Sequence, residues 1–118
     1  MGQPVAFFEI ISANAERARA FYTELFGWTA EADPEMGGYA LVDTGAGEGA
    51  IGGGIGPSSM PGDTGVKIYM RVDDLEAFLD RAEKLGGTQV VPPTDLPGEF
   101  GRFAIFTDPD GNAVGLWG

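Results

Sequence analysis

Residues 5–27 read V-A-F-F-E-I-I-S-A-N-A-E-R-A-R-A-F-Y-T-E-L-F-G, and this stretch decides the fold. Residues 5–11 form a short apolar, β-favouring run, the mark of a strand. Ser12, Ala13 and Asn14 interrupt it, and an asparagine side chain is well suited to cap a helix N-terminus. Ala18, Phe21, Tyr22 and Leu25 then fall at i, i+3, i+4 and i+7, which places them on one helical face. Gly27 supplies the residue that closes such a helix in a left-handed conformation.

The same order returns half a chain length later. Residues 66–72 (V-K-I-Y-M-R-V) alternate as a half-buried strand does. Asp73 is the expected cap, with Glu76 three residues on as in a capping box. Leu75, Phe78, Leu79 and Ala82 make the matching helical face, and Gly86 and Gly87 stop it. Three short strand-like runs follow each helix: 28–32, 39–42 and 50–55, then 88–91, 102–106 and 112–117. The pattern predicts an α+β chain of two tandem β-α-β-β-β modules, 1–56 and 66–118, joined by a linker over 57–65. A unit of about 55 residues is marginal alone, so the two are expected to form one domain over 1–118.

Composition narrows the chemistry. The 118 residues contain no histidine and no cysteine. Disulfides, thiolate nucleophiles, zinc fingers and iron–sulfur clusters are thereby excluded, and so is a Ser-His-Asp triad. Seven basic against 18 acidic residues give a net charge of −11. Such a chain is repelled by phosphate backbones and anionic bilayers, so neither nucleic acid nor membrane is an expected partner. No apolar run approaches the roughly eighteen residues of a membrane span, and the N-terminal residues lack the pattern of a signal peptide. Met1-Gly2 resembles a myristoylation start, but position 6 is Ala rather than Ser or Thr. The expected location is cytoplasmic.

The repeat also resembles a known family. Residues 20–28 (A-F-Y-T-E-L-F-G-W), Val72-Asp73-Asp74-Leu75, Leu85-Gly86-Gly87 and Asp108-Pro109-Asp110-Gly111 stand in the order and spacing of the vicinal oxygen chelate superfamily. This group includes glyoxalase I, extradiol dioxygenases and bleomycin-resistance proteins. The resemblance implies curved sheets forming a trough around a small molecule, and it allows a homodimer. It also implies four metal-ligand positions in the metal-dependent members, which fall here on Phe7, Gly53, Lys67 and Gly115. Phenylalanine and glycine carry no donor, and a protonated lysine repels a divalent cation. The expectation is therefore the family's pocket without a metal or other cofactor.

Alternate residues of a strand share a face. Phe7, Glu9 and Ile11 form one such set, and Lys67, Tyr69 and Arg71 another. The resemblance implies that these sets line the trough, joined by Ile51, Gly53 and Ile55 and by Ala113, Gly115 and Trp117. Glu9 is the most pointed of the twelve. An acid within an apolar strand is costly to bury unless it is paired or protonated, and Lys67 and Arg71 are the candidate partners. Glu9 would serve as a general base or as an acceptor for ligand; its plain reading is a structural ion pair or exposure. Tyr69 would orient a ligand or supply a proton, although a lone aromatic on a strand is more often packing.

Other patterns carry less. Residues 47–52 fit G-x-G-x-x-G, but the glycines and proline that follow forbid the helix a dinucleotide site needs. Residues 45–49 read instead as a hairpin turn. Asp108-Pro109-Asp110-Gly111 is type I turn chemistry, and a calcium loop starting there would need a glutamate beyond residue 118. Glu31, Asp33 and Glu35 form a solvated polar turn. Phe21, Tyr22 and Phe78 belong to apolar helix stripes and are expected in the core. The functional expectation is metal-independent binding of a small, partly apolar molecule, as in drug or metabolite sequestration. The alternative is an enzyme using Glu9, Lys67 and Tyr69 for acid–base work, or a metal held by other carboxylates.

Overall fold

In the computed structural model, which describes residues 2–59 and 63–118, the chain divides into two compact units. One comprises Phe7–Val66; the other comprises Met1–Ala6 with Lys67–Gly118. Residues 60–62 of the expected linker, and Met1, lie outside the described residues.

The Phe7–Val66 unit holds most of β1 (Val5–Ser12), then α1 (Ala15–Phe26), β2 (Thr29–Ala32), β3 (Ala40–Asp43) and β4 (Gly52–Pro57). Asn14 caps α1 as expected, its side-chain oxygen accepting from the Arg17 N–H at 3.0 Å. Gly27 closes the helix at φ +71°, donating to the Thr23 carbonyl at 2.9 Å. The strands run β2-β3-β4-β1, with β1 and β4 parallel and the other pairs antiparallel. Ile10, Val42 and Ile55 form the buried cluster, and Phe8, Ala18, Tyr22, Trp28 and Ala30 pack against it.

One expectation fails on α1. Phe21 is 58% exposed and α1 contains no buried residue. Four helical positions cannot all point inward when the sheet beneath covers only a narrow arc. Ala18 and Tyr22 take that arc, while Phe21 and Leu25 turn outward.

The second unit contains β5 (Gly65–Arg71), whose first two residues count with the other unit. It continues with α2 (Leu75–Lys84), β6 (Thr88–Asp95), β7 (Arg102–Thr107) and β8 (Ala113–Trp117). The strands run β5-β8-β7-β6. Asp74, not Asp73, caps α2, accepting from the Ala77 N–H at 3.0 Å. The helix thus starts one residue later than the Asp73–Glu76 spacing predicts. Its end carries Gly86 at φ +102°. Val72, Leu75, Leu79, Ala104 and Leu116 are buried together, with Met70, Phe78 and Phe106 against them. Strand β6 runs four residues past the expected end, through Pro92 and Pro93, and its pairing with β7 shifts register twice on the way. Prolines are tolerated there because β6 ends the strand order and carries no ladder on its other side.

Both units therefore follow β-α-β-β-β order, as the sequence repeat predicts. The 108–111 turn closes with the Gly111 N–H on the Asp108 carbonyl at 3.0 Å. Gly47 and Gly49 adopt positive φ in the loop before β4, so the G-x-G-x-x-G stretch leads into a strand and opens no helix. Among the described residues, no helix is long and apolar enough to cross a membrane.

Candidate functional site

In the Phe7–Val66 unit the candidate site is the sheet face turned away from α1, whose side is marked by Ile10 and Ile55. The parallel register sets Phe7 beside Gly52, Glu9 beside Gly54 and Ile11 beside Gly56. Glycine at these β4 positions leaves the floor without side chains. The Tyr39 ring occupies the space that a Cβ on Gly54 or Gly56 would need. Its hydroxyl donates to Glu9 Oε2 at 2.7 Å. An acid that the strand holds half-buried is thus paired with a phenol whose ring covers the Gly54 and Gly56 backbone.

Tyr39 was not among the residues singled out from sequence. The signal available was alternation: Tyr39 and Leu41 fall on one side of β3 while Ala40 and Val42 fall on the other, where both are buried.

Three expected residues lie elsewhere. Gly53 pairs with Phe8, and the Phe8 ring fills the place of its missing Cβ. Ile55 pairs with Ile10 and is 1% exposed in the core beneath α1. Ile51 precedes β4, in the loop that leads into it. Gly53 and Ile55 therefore share the helix-side face rather than the Glu9 face. The reason is register: Glu9 pairs with Gly54, so the matching β4 face begins one residue away from the expected set.

In the second unit the expected set holds together on the face turned away from α2. Tyr69 pairs with Gly115, and its ring covers that glycine. Arg71 pairs with Trp117 and sets its guanidinium 4.5 Å from the centre of the indole ring. At that distance the contact is a cation–π attraction. Trp117 Nε1 donates to the Phe100 carbonyl at 2.6 Å, which fixes the indole. Lys67 precedes Tyr69 on the same alternation, half-buried, and Ala113 lies exposed opposite Thr107 of β7. Met70 and Leu116, one residue out of step, join the α2 cluster.

Charge is organised away from these faces as well. Glu76 meets Arg102 through two bonds of 2.9 and 3.1 Å. The hydrogen bond to Arg102 holds the Glu76 carboxyl below its usual range and raises the guanidinium in turn. Asp108 is also held low, first by the Asn112 side chain at 2.9 Å and then by the backbone N–H groups of its turn.

A metal does not fit the donors present. Phe7, Lys67 and Gly115 offer none, and exchanging Gly53 for Gly54 on the corrected face changes nothing. Among the described residues, no group of three or more His, Cys, Asp or Glu side chains is placed to hold a metal ion.

Two β-α-β-β-β units, each with a polar and aromatic sheet face opposite its helix, define a class of small α+β domains. The chain belongs to the Glyoxalase/Bleomycin resistance protein/Dioxygenase superfamily, whose family model matches residues 5–116. It is 33% identical over 129 residues to the anthracycline biosynthesis protein DnrV of Streptomyces peucetius, covering 95% of this chain and 46% of that one. It thus spans less than half the length of that relative. A glyoxylase-like domain-containing protein of Didymella fabae is 32% identical over 113 residues, covering 92% of this chain and 88% of that one. Among solved structures, a mutant 4-hydroxymandelate synthase from Streptomyces coelicolor superposes with a TM-score of 0.69 at 18% identity. That match covers 97% of this chain and 38% of the other, and it is a likeness of fold alone.

Proposed function

We propose that this domain binds a small, partly apolar molecule without using a metal. The carrying observation is the Tyr39–Glu9 pair at 2.7 Å above Gly54 and Gly56. The Tyr39 ring, seated on Gly54 and Gly56, gives a flat ligand ring a surface to stack on, and the adjacent carboxylate and phenol give its oxygens hydrogen-bond partners. The second unit has an aromatic and cationic face of its own, formed by Tyr69, Trp117 and Arg71. A relative named for anthracycline biosynthesis makes a polycyclic aromatic bearing hydroxyl and carbonyl groups the ligand to try first. Sequestration of such a molecule requires no reaction. The test is titration of the protein with an anthracycline, followed by fluorescence, with and without EDTA. Saturable binding that EDTA leaves unchanged and Tyr39→Ala weakens is expected. Binding abolished by EDTA, or no saturable binding by an anthracycline or any member of a broad aromatic panel, would overturn the reading.

The same pair supports an enzymatic alternative. A carboxylate and a phenol joined by one hydrogen bond can move a proton beside a carbonyl, with Glu9 as base and Tyr39 as donor. Glu9→Gln would then abolish turnover while retaining ligand binding. Turnover unchanged in Glu9→Gln excludes Glu9 as the base.

A further inference from the structure

The helix side of the second unit is incompletely filled. Between α2 and the sheet beneath it lies an open cleft of about 330 Å³. Packed interiors leave few voids larger than a water molecule, so a space of this size is a recess and not a packing fault. Met70, Phe106 and Leu116 of the sheet form its floor. Phe78 and Ala82 of α2, with Leu85 at the helix end, form one wall. Leu85 is 70% exposed, a large apolar side chain held at the rim. Gly87 fixes the neighbouring edge. A Cβ there would meet the Thr107 carbonyl at 2.8 Å, so glycine is what lets the chain leave α2 this close to β7.

The charges around the cleft identify its ligand. Asp108 contributes to the lining, but its carboxylate is committed to its own turn. Oδ1 accepts from the Asp110 and Asn112 N–H groups at 3.0 and 2.9 Å, and Oδ2 accepts from the Asn112 side chain at 2.9 Å. Arg81 is the other charged residue in the lining. Among the described residues its guanidinium has neither an ion pair nor a hydrogen bond. The helix end makes no demand on it either, because the carbonyls of Arg81, Ala82 and Glu83 already accept from the N–H groups of Leu85, Gly86 and Gly87. Lys84 and Asp80 line an adjoining recess that shares Phe78, Arg81 and Leu85 with the cleft. The rim therefore carries one more cation than anion, in a chain of seven basic and 18 acidic residues.

An apolar body ending in one anionic group satisfies both the floor and the uncommitted guanidinium. A dry cavity of about 150 Å³ takes a benzene ring, so this cleft has room for a chain of roughly eight to ten carbons. We propose that the cleft under α2 is a ligand site for a medium-chain carboxylate, with the tail on Met70, Phe106 and Leu116 and the carboxylate on Arg81. It is independent of Tyr39 and Glu9, which belong to the other unit.

Calorimetric titration of the full chain with sodium octanoate tests it. Saturable one-to-one binding is expected, with amide NMR shifts centred on Phe78, Ala82 and Leu85. Octanol has the tail without the charge and should bind about threefold to tenfold more weakly, the range for one pair between exposure and burial. Arg81→Gln should weaken octanoate by the same factor and leave octanol unchanged. It keeps a good helix former at an exposed position, so the fold is not in question. Arg81→Glu should reject octanoate and accept octyltrimethylammonium, which the unaltered protein should bind poorly. No saturation by octanoate, whether the cleft is closed or covered by a second copy, would overturn the proposal. Equal affinity for octanol, indifference to the Arg81 substitutions, or shifts centred on Tyr39 and Glu9 would overturn it as well.

Discussion

The Tyr69 ring lies over Gly115, its direct neighbour across the β5–β8 ladder, in the space a Cβ would need. Tyr69 is only 6% exposed, so the ring has little room to withdraw. Gly115→Ala is therefore expected to destabilise the fold by about 1–3 kcal/mol, the usual range for an overpacked interior. Gly52→Ala is the control: its Cβ would meet nothing nearer than the Val42 carbonyl at 3.4 Å. Urea unfolding should separate the two variants clearly, with Gly52→Ala close to the parent.

Tyr39 and Gly54 should behave as one unit. Gly54→Ala pushes the phenol off Glu9, so it should lower ligand affinity much as Tyr39→Ala does. Once Tyr39 has been shortened to Ala, the Gly54→Ala change should add little. A double-mutant cycle read by ligand titration checks this, and additive effects would show that the ring and the floor act separately.

The caps give a sharper comparison. Asn14→Ala and Asp74→Ala each remove an oxygen that accepts a first-turn N–H at 3.0 Å, and each should cost about 1 kcal/mol. Asp73→Ala should stay within about 0.5 kcal/mol of the parent, as surface changes usually do. Thermal melts of the three variants test the assignment.

Acid should act through Asp108 and Glu76. Both carboxyls are held below their ordinary range in the folded chain, so each contributes stability above its unfolded-state value. That contribution is lost as pH falls through the lowered, folded-state value. The melting temperature should decline on acidification, and Asp108→Asn or Glu76→Gln should make the decline shallower. Both side chains lie at the surface, so the effect should be small and, for Glu76, weakened by salt. Melting curves over a pH series at two ionic strengths measure it.

The helices and their order were legible because caps and stops are local chemistry: Asn14, Gly27 and Gly86 act within a few residues of where they stand. The face of β4 was not legible. Alternation is read from side chains, and G-G-G-I-G has one, so nothing in the stretch says whether Gly53 or Gly54 faces Glu9. Only the parallel pairing with β1, made across a long loop of chain, settles it. Phe21 was misplaced for a related reason: helical spacing identifies which residues share a side, not how wide an arc the sheet can cover. Tyr39 went unnoticed because its role depends on Glu9, thirty residues earlier in the chain.

Four of the six residues of β4 are glycine, the residue that loses most freedom on becoming ordered and has least to hold it in a strand. What packs over its backbone comes from neighbours: the Phe8 ring on one side and the Tyr39 ring on the other. The strand is therefore not an independent element but the impression left between two aromatic rings. The genetic consequence is an inversion. Damage to β4 should arise as readily from changes at positions 8 and 39 as from changes within the strand itself, and a new side chain at Gly53 or Gly54 should be rescued by trimming a ring encoded elsewhere.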